Sequence, residues 1–382
     1  MNTPKRRSTN RPNPRRRQAE RVAIPKPAPE PPSPSPIPVM ECEADVADGL
    51  TGLAWRELKA RFGDRIERAE MGARDSSLRF VYVGNPFQLL SLRTVQAVYT
   101  VRHYPVPRPK ALLGDQHFKR MLADIAAARD LAPTESFRTL TISAAGSDSS
   151  VMMRLKDELT TRTGLEATEE EGDLLLRVRR PLIGEGWEVL TRLSPRPLAT
   201  RAWRVCNREG ALNAAVAAAM AMLTMPMPED HVLNLMCGSG TLLIERLAAE
   251  TCASAIGYDI DPTALDCAAQ NVMAAGFADH IKLRQGDIRD LPHPARSADV
   301  ICADLPFGNL VGSHEGNVAL YPVLLQEAAR VAKPGARAAF ITGEVRLMDG
   351  LLDGSPLWST DQVIRVGLGG LHPRLYLLSR KG

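Results

Sequence analysis

Residues 233–245 read LNLMCGSGTLLIE: a short apolar run, a glycine-rich turn, then a second apolar stretch. This is the pattern of a strand that ends in a tight turn and opens a helix. Gly238 and Gly240 let the backbone approach a ligand closely, and the N-terminus of a helix favours negative groups. The loop residues Asn234, Cys237, Gly238, Gly240 and Thr241 are therefore candidates for cofactor contact. About twenty residues later YDIDP closes a second strand. There Asp259, followed by Ile260, is placed to accept hydrogen bonds from ribose hydroxyls. A lone G-x-G says little. A strand before it, a helix after it and an acid at this spacing together predict an adenosine-containing ligand.

The same rhythm continues to the C-terminus. The strand candidates are HVLNLM, ASAIGYDI, HIKLRQGDI, ADVICADL, ARAAFIT, QVIRVGL and RLYLLS. Helical stretches TLLIERLAAE, PTALDCAAQNVMAAG and ALYPVLLQEAARVA separate most of the first five. Alternating β and α implies a doubly wound, Rossmann-like parallel sheet. The last two strands are joined only by GGLHP, too short for a parallel crossover, so that pair should be antiparallel. Seven strands with one late antiparallel member differ from a dinucleotide dehydrogenase.

Acids recur where these strands end. In QGDIRD (285–290) Asp287, next to Ile288, can accept from an adenine amino group, or can simply be a turn carboxylate. Asp261 precedes Pro262, and helix capping accounts for it. The fourth strand ends in ICADLPFG (301–308). An exocyclic amine on a base is a poor nucleophile, its lone pair delocalised into the ring. Two acceptors, the Asp304 carboxylate and the Leu305 carbonyl, can hold its N–H groups and aim the nitrogen. Pro306 fixes the backbone direction, and Phe307 offers a face on which a base stacks. These residues form a candidate catalytic set for in-line transfer, with Asp304 shared between substrate and cofactor sides.

Upstream, residues 39–108 alternate as β-α-β-β-α-β, the order of a ferredoxin-like unit. DGLTGLAWRELKARFG is its first helix and FQLLSLRTVQ its second. Residues 109–205 form a further α/β unit. It begins with a helix over 109–132, and GALNAAVAAAMAML (210–223) is a helix leading into the last unit, 206–382. Residues 1–38 are rich in Pro, Arg and Ser and cannot build a core. They hold nine Lys or Arg against Glu20 and Glu30, while the whole chain is only +4, so the rest is slightly negative. Such a tail is either drawn to polyanions or a solvated extension. It is Arg-rich like a transit sequence, but its prolines prevent an amphipathic helix.

The chain of 382 residues has no apolar run long enough to span a bilayer. Its six cysteines form no C-x-x-C pair and no zinc spacing, so no metal is expected. Scattered small thiols suit a reducing cytoplasm. Nothing indicates an oligomeric partner.

Taken together, CGSGT, Y-D-I-D and D-L-P-F-G resemble the class I S-adenosylmethionine-dependent methyltransferases that act on amino nitrogens. TRLSPRPLATRAWRV (191–205) and the helix after it resemble the junction in THUMP-domain RNA methyltransferases. The first unit resembles their N-terminal domain, so the resemblance covers residues 39–382. It implies a ferredoxin-like plus THUMP-like module that grips RNA, and methyl transfer to guanine N2. The D-L-P-F-G form is more similar to the tRNA acceptor-stem branch than to the large-subunit ribosomal RNA branch. Asn234 and Leu235 depart from the D-P of many relatives, and Leu305 replaces a proline. Arg177, Arg179 and Arg180 in DLLLRVRRP, with Arg196, Arg201 and Arg204 in SPRPLATRAWR, are the candidate RNA contacts. The other reading makes them a solvated face with interdomain salt bridges. DNA adenine, a protein glutamine amide and non-catalytic RNA binding remain alternatives. An NAD-linked oxidoreductase would need a second glycine pair and a hydride-handling His or Tyr, and neither is evident.

Overall fold

The computed structural model describes Met1 and residues 38–68, 76–133, 136–308 and 312–382. The expected basic tail lies outside the described residues except at its two ends. In the N-terminal half, β1 (Val39–Asp45), α1 (Thr51–Phe62), β2 (Ile66–Arg68), β3 (Ser77–Val83) and β4 (Ala97–Tyr104) come first. They are followed by α2 (Asp115–Arg129), β5 (Thr139–Ala144), α3 (Ser150–Thr163), β6 (Glu166–Ala167), β7 (Leu174–Arg179) and β8 (Trp187–Arg192). The eight strands join in one sheet, ordered β2-β3-β1-β4-β8-β7-β5-β6. The sequence suggests two units that part near residue 108. Instead β4 pairs antiparallel with β8 from Tyr99–Arg192 to Tyr104–Trp187, and the sheet runs across the boundary. Residues Ile37–Gly382 form one compact unit.

Charged side chains fasten this junction. Arg177 and Arg179 on β7 reach over two strands to Asp45 and Glu43 on β1, at 2.7 and 2.5 Å. Arg177 lies on the Tyr99 ring of the intervening β4, 4.3 Å from its centroid. Arg79, almost fully buried on β3, binds Glu188 of β8 at 2.9 Å and Glu41 of β1 at 2.8 Å. The proposed RNA contacts Arg177 and Arg179 are thus corrected to an internal clamp. The acids that face them across the sheet neutralise their charge.

Three helix readings change at their ends for local reasons. FQLLSLRTVQ is a single tight 3-10 turn, Pro86–Ser91. The buried Glu57 carboxylate takes the backbone N–H groups of Arg93 and Thr94 at 2.9 and 2.8 Å, which diverts them from a helical ladder. The helix expected from 109 is a 3-10 turn over Pro109–Leu113 and, after the extended Gly114, an α-helix from Asp115. The Ala-rich helix α4 spans Ala214–Leu223, capped by Asn213, whose side chain accepts from Ala215 N at 2.9 Å.

The C-terminal half follows as β9 (His231–Leu235), α5 (Thr241–Ala249), β10 (Ser254–Asp259), α6 (Pro262–Ala274), β11 (Ile281–Gln285), β12 (Ala298–Asp304) and α7 (His314–Val331). It closes with β13 (Ala332–Thr342), α8 (Val345–Leu352), β14 (Trp358–Arg365) and β15 (Arg374–Arg380). The sheet order is β11-β10-β9-β12-β13-β15-β14. β15 runs antiparallel to both β13 and β14, as its short connection requires. Buried aliphatic and aromatic side chains fill both faces, so the first four strands are held rigidly and their carboxyl ends share one rim.

Two of the six cysteines depart from the free-thiol reading. Cys206 and Cys267 are joined as a disulfide, where the segment after Arg204 runs along α6. Cys42, Cys237, Cys252 and Cys302 are free. Among the described residues no helix is long and apolar enough to cross a membrane.

The clamp makes a testable demand on stability. Glu188→Ala takes the bidentate partner from the buried Arg79 guanidinium but leaves it Glu41 and Glu43, which should cost about 1–3 kcal/mol. Urea unfolding should show a lower midpoint with the slope unchanged. A loss below ~1 kcal/mol would mean the cluster is solvated.

Candidate active site

The rim of β9, β10, β11 and β12 borders a cleft of about 370 Å³. Past β9 the chain turns sharply, with Met236, Gly238 and Gly240 all at positive φ (55°, 53° and 80°). A Cβ at Gly238 would meet nothing within 4 Å, so this backbone faces open space. Gly240 is required on two counts, its φ and the Ala268 Cβ that would lie 3.3 Å from a side chain. Asp259 ties the loop to β10: its carboxylate accepts Gly238 N at 2.8 Å and Asp261 N at 3.0 Å. Each oxygen keeps a further lone pair for a ribose hydroxyl. Ile260 is 57% exposed and Ile288 is buried, and together they give the cleft apolar walls.

Asn234 is fully buried. Its Nδ2 donates to the Cys302 carbonyl of β12 at 3.0 Å. Its Oδ1 is buried without a partner. An orphan acceptor of this kind suits an incoming ammonium. The Cys302 carbonyl suits an amide at this position, since a carboxylate there would face a carbonyl oxygen.

Other expected contacts are placed differently. The Cys237 side chain packs against Gly257 on β10, and burial pushes its thiol up. Thr241 Oγ1 accepts from Arg204 at 2.9 Å inside the protein. Of these two residues only the backbone belongs to the loop surface. Asp287 lines the cleft, but Arg289 grips its carboxylate at 2.5 Å and holds it below the usual range. Asp261 caps α6 through Thr263 N at 2.9 Å, as its place before Pro262 predicts.

At the end of β12 the arrangement is different in kind. Asp304 has no side-chain hydrogen bond among the described residues, and burial pushes its carboxyl up to about 7. Leu305 N is held by Ile341 O at 3.0 Å, while its own carbonyl has no backbone donor among the described residues. The Pro306 carbonyl is fully engaged, by Tyr321 Oη at 2.6 Å and Asn317 Nδ2 at 2.9 Å. Asn317 and Tyr321 are four apart on α7, and so share one helix face. Tyr321 continues to Thr342 Oγ1 at 2.7 Å. The loop is bolted through Pro306, and among the described residues Asp304 and the Leu305 carbonyl are left free. Phe307 lies half-buried over Gly343. No group of three metal-ligating side chains occurs among the described residues.

The remaining arginines divide. Arg201 binds the buried Glu245 at 2.9 Å, and Arg204 binds Leu212 O at 2.7 Å as well as Thr241. Arg204 is therefore structural. Arg180 is exposed and sits over the Trp187 ring, 4.5 Å away. Arg196 is exposed on the wall of a separate groove.

Residues 201–374 match the UPF0020 family, an RMKL-like methyltransferase domain. These residues are a methyltransferase domain. The tRNA (guanine(6)-N(2))-methyltransferase THUMP3 of Mus musculus is 34% identical over 182 residues, 44% of this chain and 36% of that protein. The tRNA (guanine(6)-N2)-methyltransferase of Thermus thermophilus is 30% identical over 206 residues, 54% of this chain and 60% of that protein. The chain thus matches little more than a third of the mouse relative's length. The crystal structure of TrmN from Thermus thermophilus superposes with a TM-score of 0.69 at 26% identity, covering 89% of this chain and 99% of that one.

The methyltransferase domain's cleft fits S-adenosylmethionine: Asp259 would take the ribose and Ile260 and Ile288 the adenine, while the orphan Asn234 Oδ1, buried at the end of β9 rather than on the cleft wall, would be the acceptor for the ammonium. This fit predicts that Asn234→Ala weakens cofactor affinity about tenfold, the worth of one charge-assisted hydrogen bond. Asn234→Asp should in addition lower the melting temperature at neutral pH, by setting a carboxylate against the Cys302 carbonyl. Isothermal titration with S-adenosylhomocysteine and thermal melts check both.

Proposed function

We propose that this chain is an S-adenosylmethionine-dependent RNA methyltransferase acting on guanine N2. We take tRNA as its substrate and an acceptor-stem guanosine as the target. The observation that carries this reading is the Asp304 carboxylate beside the Leu305 carbonyl, both without a partner among the described residues, next to a stacking ring and a nucleoside cleft. The names of the related methyltransferases support guanine N2 and tRNA.

S-adenosylmethionine, when bound, supplies an electrophilic methyl group on a sulfonium. Asp304 and the Leu305 carbonyl accept the two N–H groups of the base amine and orient its nitrogen. Phe307 stacks the base. Asn317 and Tyr321 hold the loop while a C–N bond forms and the C–S bond breaks. The amine is then cationic, and the Asp304 carboxylate stabilises it until one proton leaves to solvent. Positioning and electrostatics supply most of the acceleration.

A site for the RNA is supported by a groove of about 960 Å³ where the N-terminal sheet meets the methyltransferase domain. Arg61, Arg93, Arg138, Arg196 and Arg201 line it. Beside it lie Arg65 and the exposed Phe87, a cation and a flat face suited to an RNA strand. In this proposal residues 39–205 are the ferredoxin-like and THUMP-like RNA-binding module, and the location is cytoplasmic.

Labelled cofactor incubated with separate tRNA, ribosomal RNA and DNA pools should yield N2-methylguanosine from tRNA. Label recovered as N6-methyladenosine would overturn the guanine assignment. Only the ionised acid carries the charge that stabilises the cationic amine, and burial has raised its pKa. The rate with limiting cofactor should therefore climb about tenfold per pH unit below 7 and level off above it. Tyr321, Glu344 and His314 are the titratable neighbours. Asp304→Asn should abolish the inflection and cut turnover by orders of magnitude.

Arg196→Glu should weaken tRNA binding and flatten its salt dependence, measured by filter binding across ionic strength. Arg177→Ala should lower stability and leave that slope unchanged.

A further inference from the structure

A second carboxylate flanks the base platform. β12 and β13 pair with Asp304 opposite Ile341, so the chain leaving β13 passes Thr342, Gly343 and Glu344 along the same rim. Thr342 Oγ1 accepts Glu344 N at 2.9 Å and so sets the direction of the turn. Phe307 lies directly over Gly343, where a Cβ would come within 3.0 Å of its ring. Glu344 follows immediately, its side chain only 14% exposed. Oε1 would lie 2.7 Å from a Cβ on Gly308, just past the ring. His314 Nδ1 holds Oε2 at 3.0 Å, and Asn317 Nδ2 is 3.4 Å from Oε1. Among the described residues neither Lys nor Arg pairs with it. Asp304 and Glu344 thus sit at the ends of adjacent strands on the rim that carries the ring. Both carboxylates are close enough to Tyr321 to add to the burial that pushes its phenol up.

We propose that Glu344 specifies the base: with N2 held by Asp304 and the Leu305 carbonyl, the Glu344 carboxylate accepts the N1–H of guanine. This rests on the guanine-N2 reading above. N1–H and N2–H lie side by side on one edge of guanine, so two acceptors along one rim match two adjacent donors. Adenine presents a lone pair at N1, and a carboxylate facing it repels. His314 and Asn317 act as positioning residues that hold the acid in place, while Asp304 serves the reacting nitrogen.

The test uses the full-length enzyme and a tRNA in which 2-aminopurine riboside replaces the methylated guanosine. That base keeps the exocyclic amine at C2 but has no hydrogen on N1. The wild type should prefer guanosine by about 100-fold or more in kcat/KM, because a buried acceptor is otherwise left facing a lone pair. In Glu344→Gln the amide can turn an N–H toward N1. The guanosine rate should fall and the preference should shrink to within about tenfold, with the melting temperature and the KM for cofactor unchanged. A Glu344→Gln enzyme that keeps the full preference would overturn the proposal. So would a wild type that methylates both bases equally, whatever the variant does. Failure of the wild type to form N2-methylguanosine in any RNA would instead remove the guanine reading itself, and this proposal with it.

Discussion

The carboxylate of Glu245 holds the two halves of the molecule in register. It is fully buried on α5, the helix that opens from the glycine loop. Arg93, from the segment leading to β4, reaches it at 2.7 Å, and Arg201, from the chain that links the halves, reaches it at 2.9 Å. One acid therefore fixes the cofactor helix, the linker and the N-terminal sheet. A buried acid with two arginines leaves one positive charge in excess, and both arginines also line the large groove. The contact that sets the geometry thus also gives the groove its attraction for an anion. Removing Glu245 would leave two guanidinium groups crowded together without a counter-charge, the costly way to break a buried pair.

The arginines show how far sequence carries such an argument. In DLLLRVRR the alternation is plain: Leu174, Leu176 and Val178 are buried and the residues between them point to the other face. Period two tells which face an arginine takes. It does not tell what covers that face. The acids that claim Arg177 and Arg179 are Asp45 and Glu43, more than 130 residues earlier, brought close only because β4 and β8 zip together. The sheet junction was hidden for the same reason. Each strand was legible by composition, but the pairing of residues 99–104 with 187–192 is a long-range event with no local signature.

The catalytic rim was more legible, because each piece is a strand followed by its own turn. LNLMCGSGT, YDIDP and ADLPFG could be placed on one edge from the rule that parallel strands present their carboxyl ends together. The residues that went unread are those acting through another element. Asn317 and Tyr321 sit on α7 and matter because the Pro306 carbonyl needs donors. Glu344 was within reach of the same rim rule, applied to the fifth strand. FITGE ends with an acid as ADLPFG does, but no motif drew attention to it. The disulfide between Cys206 and Cys267 had no spacing to announce it, since a segment and a helix 61 residues apart meet only in the fold.

The isolation of Asp304 has an energetic side that bears on turnover. Its carboxyl is raised by burial alone, so the folded protein binds that proton more tightly than the unfolded chain does. The stability this contributes is complete below the unfolded pKa and is lost as pH rises through about 7. Above that point the fold carries a buried carboxylate without a partner among the described residues. A cation seated in the neighbouring cleft relieves this, and by linkage the ionised acid raises affinity for that cation by the same factor. In the proposed reaction the donor, a sulfonium before transfer, would gain from Asp304. After transfer its sulfur is neutral, and the charge has passed to the amine and then to solvent. The same unpaired acid therefore favours retention of the donor over its product, and a counter-ion such as the one Arg289 gives Asp287 would remove that distinction. Leaving Asp304 without a partner costs stability at neutral pH, and in the proposed function the site would gain from it both orientation of the nucleophile and release of the spent cofactor.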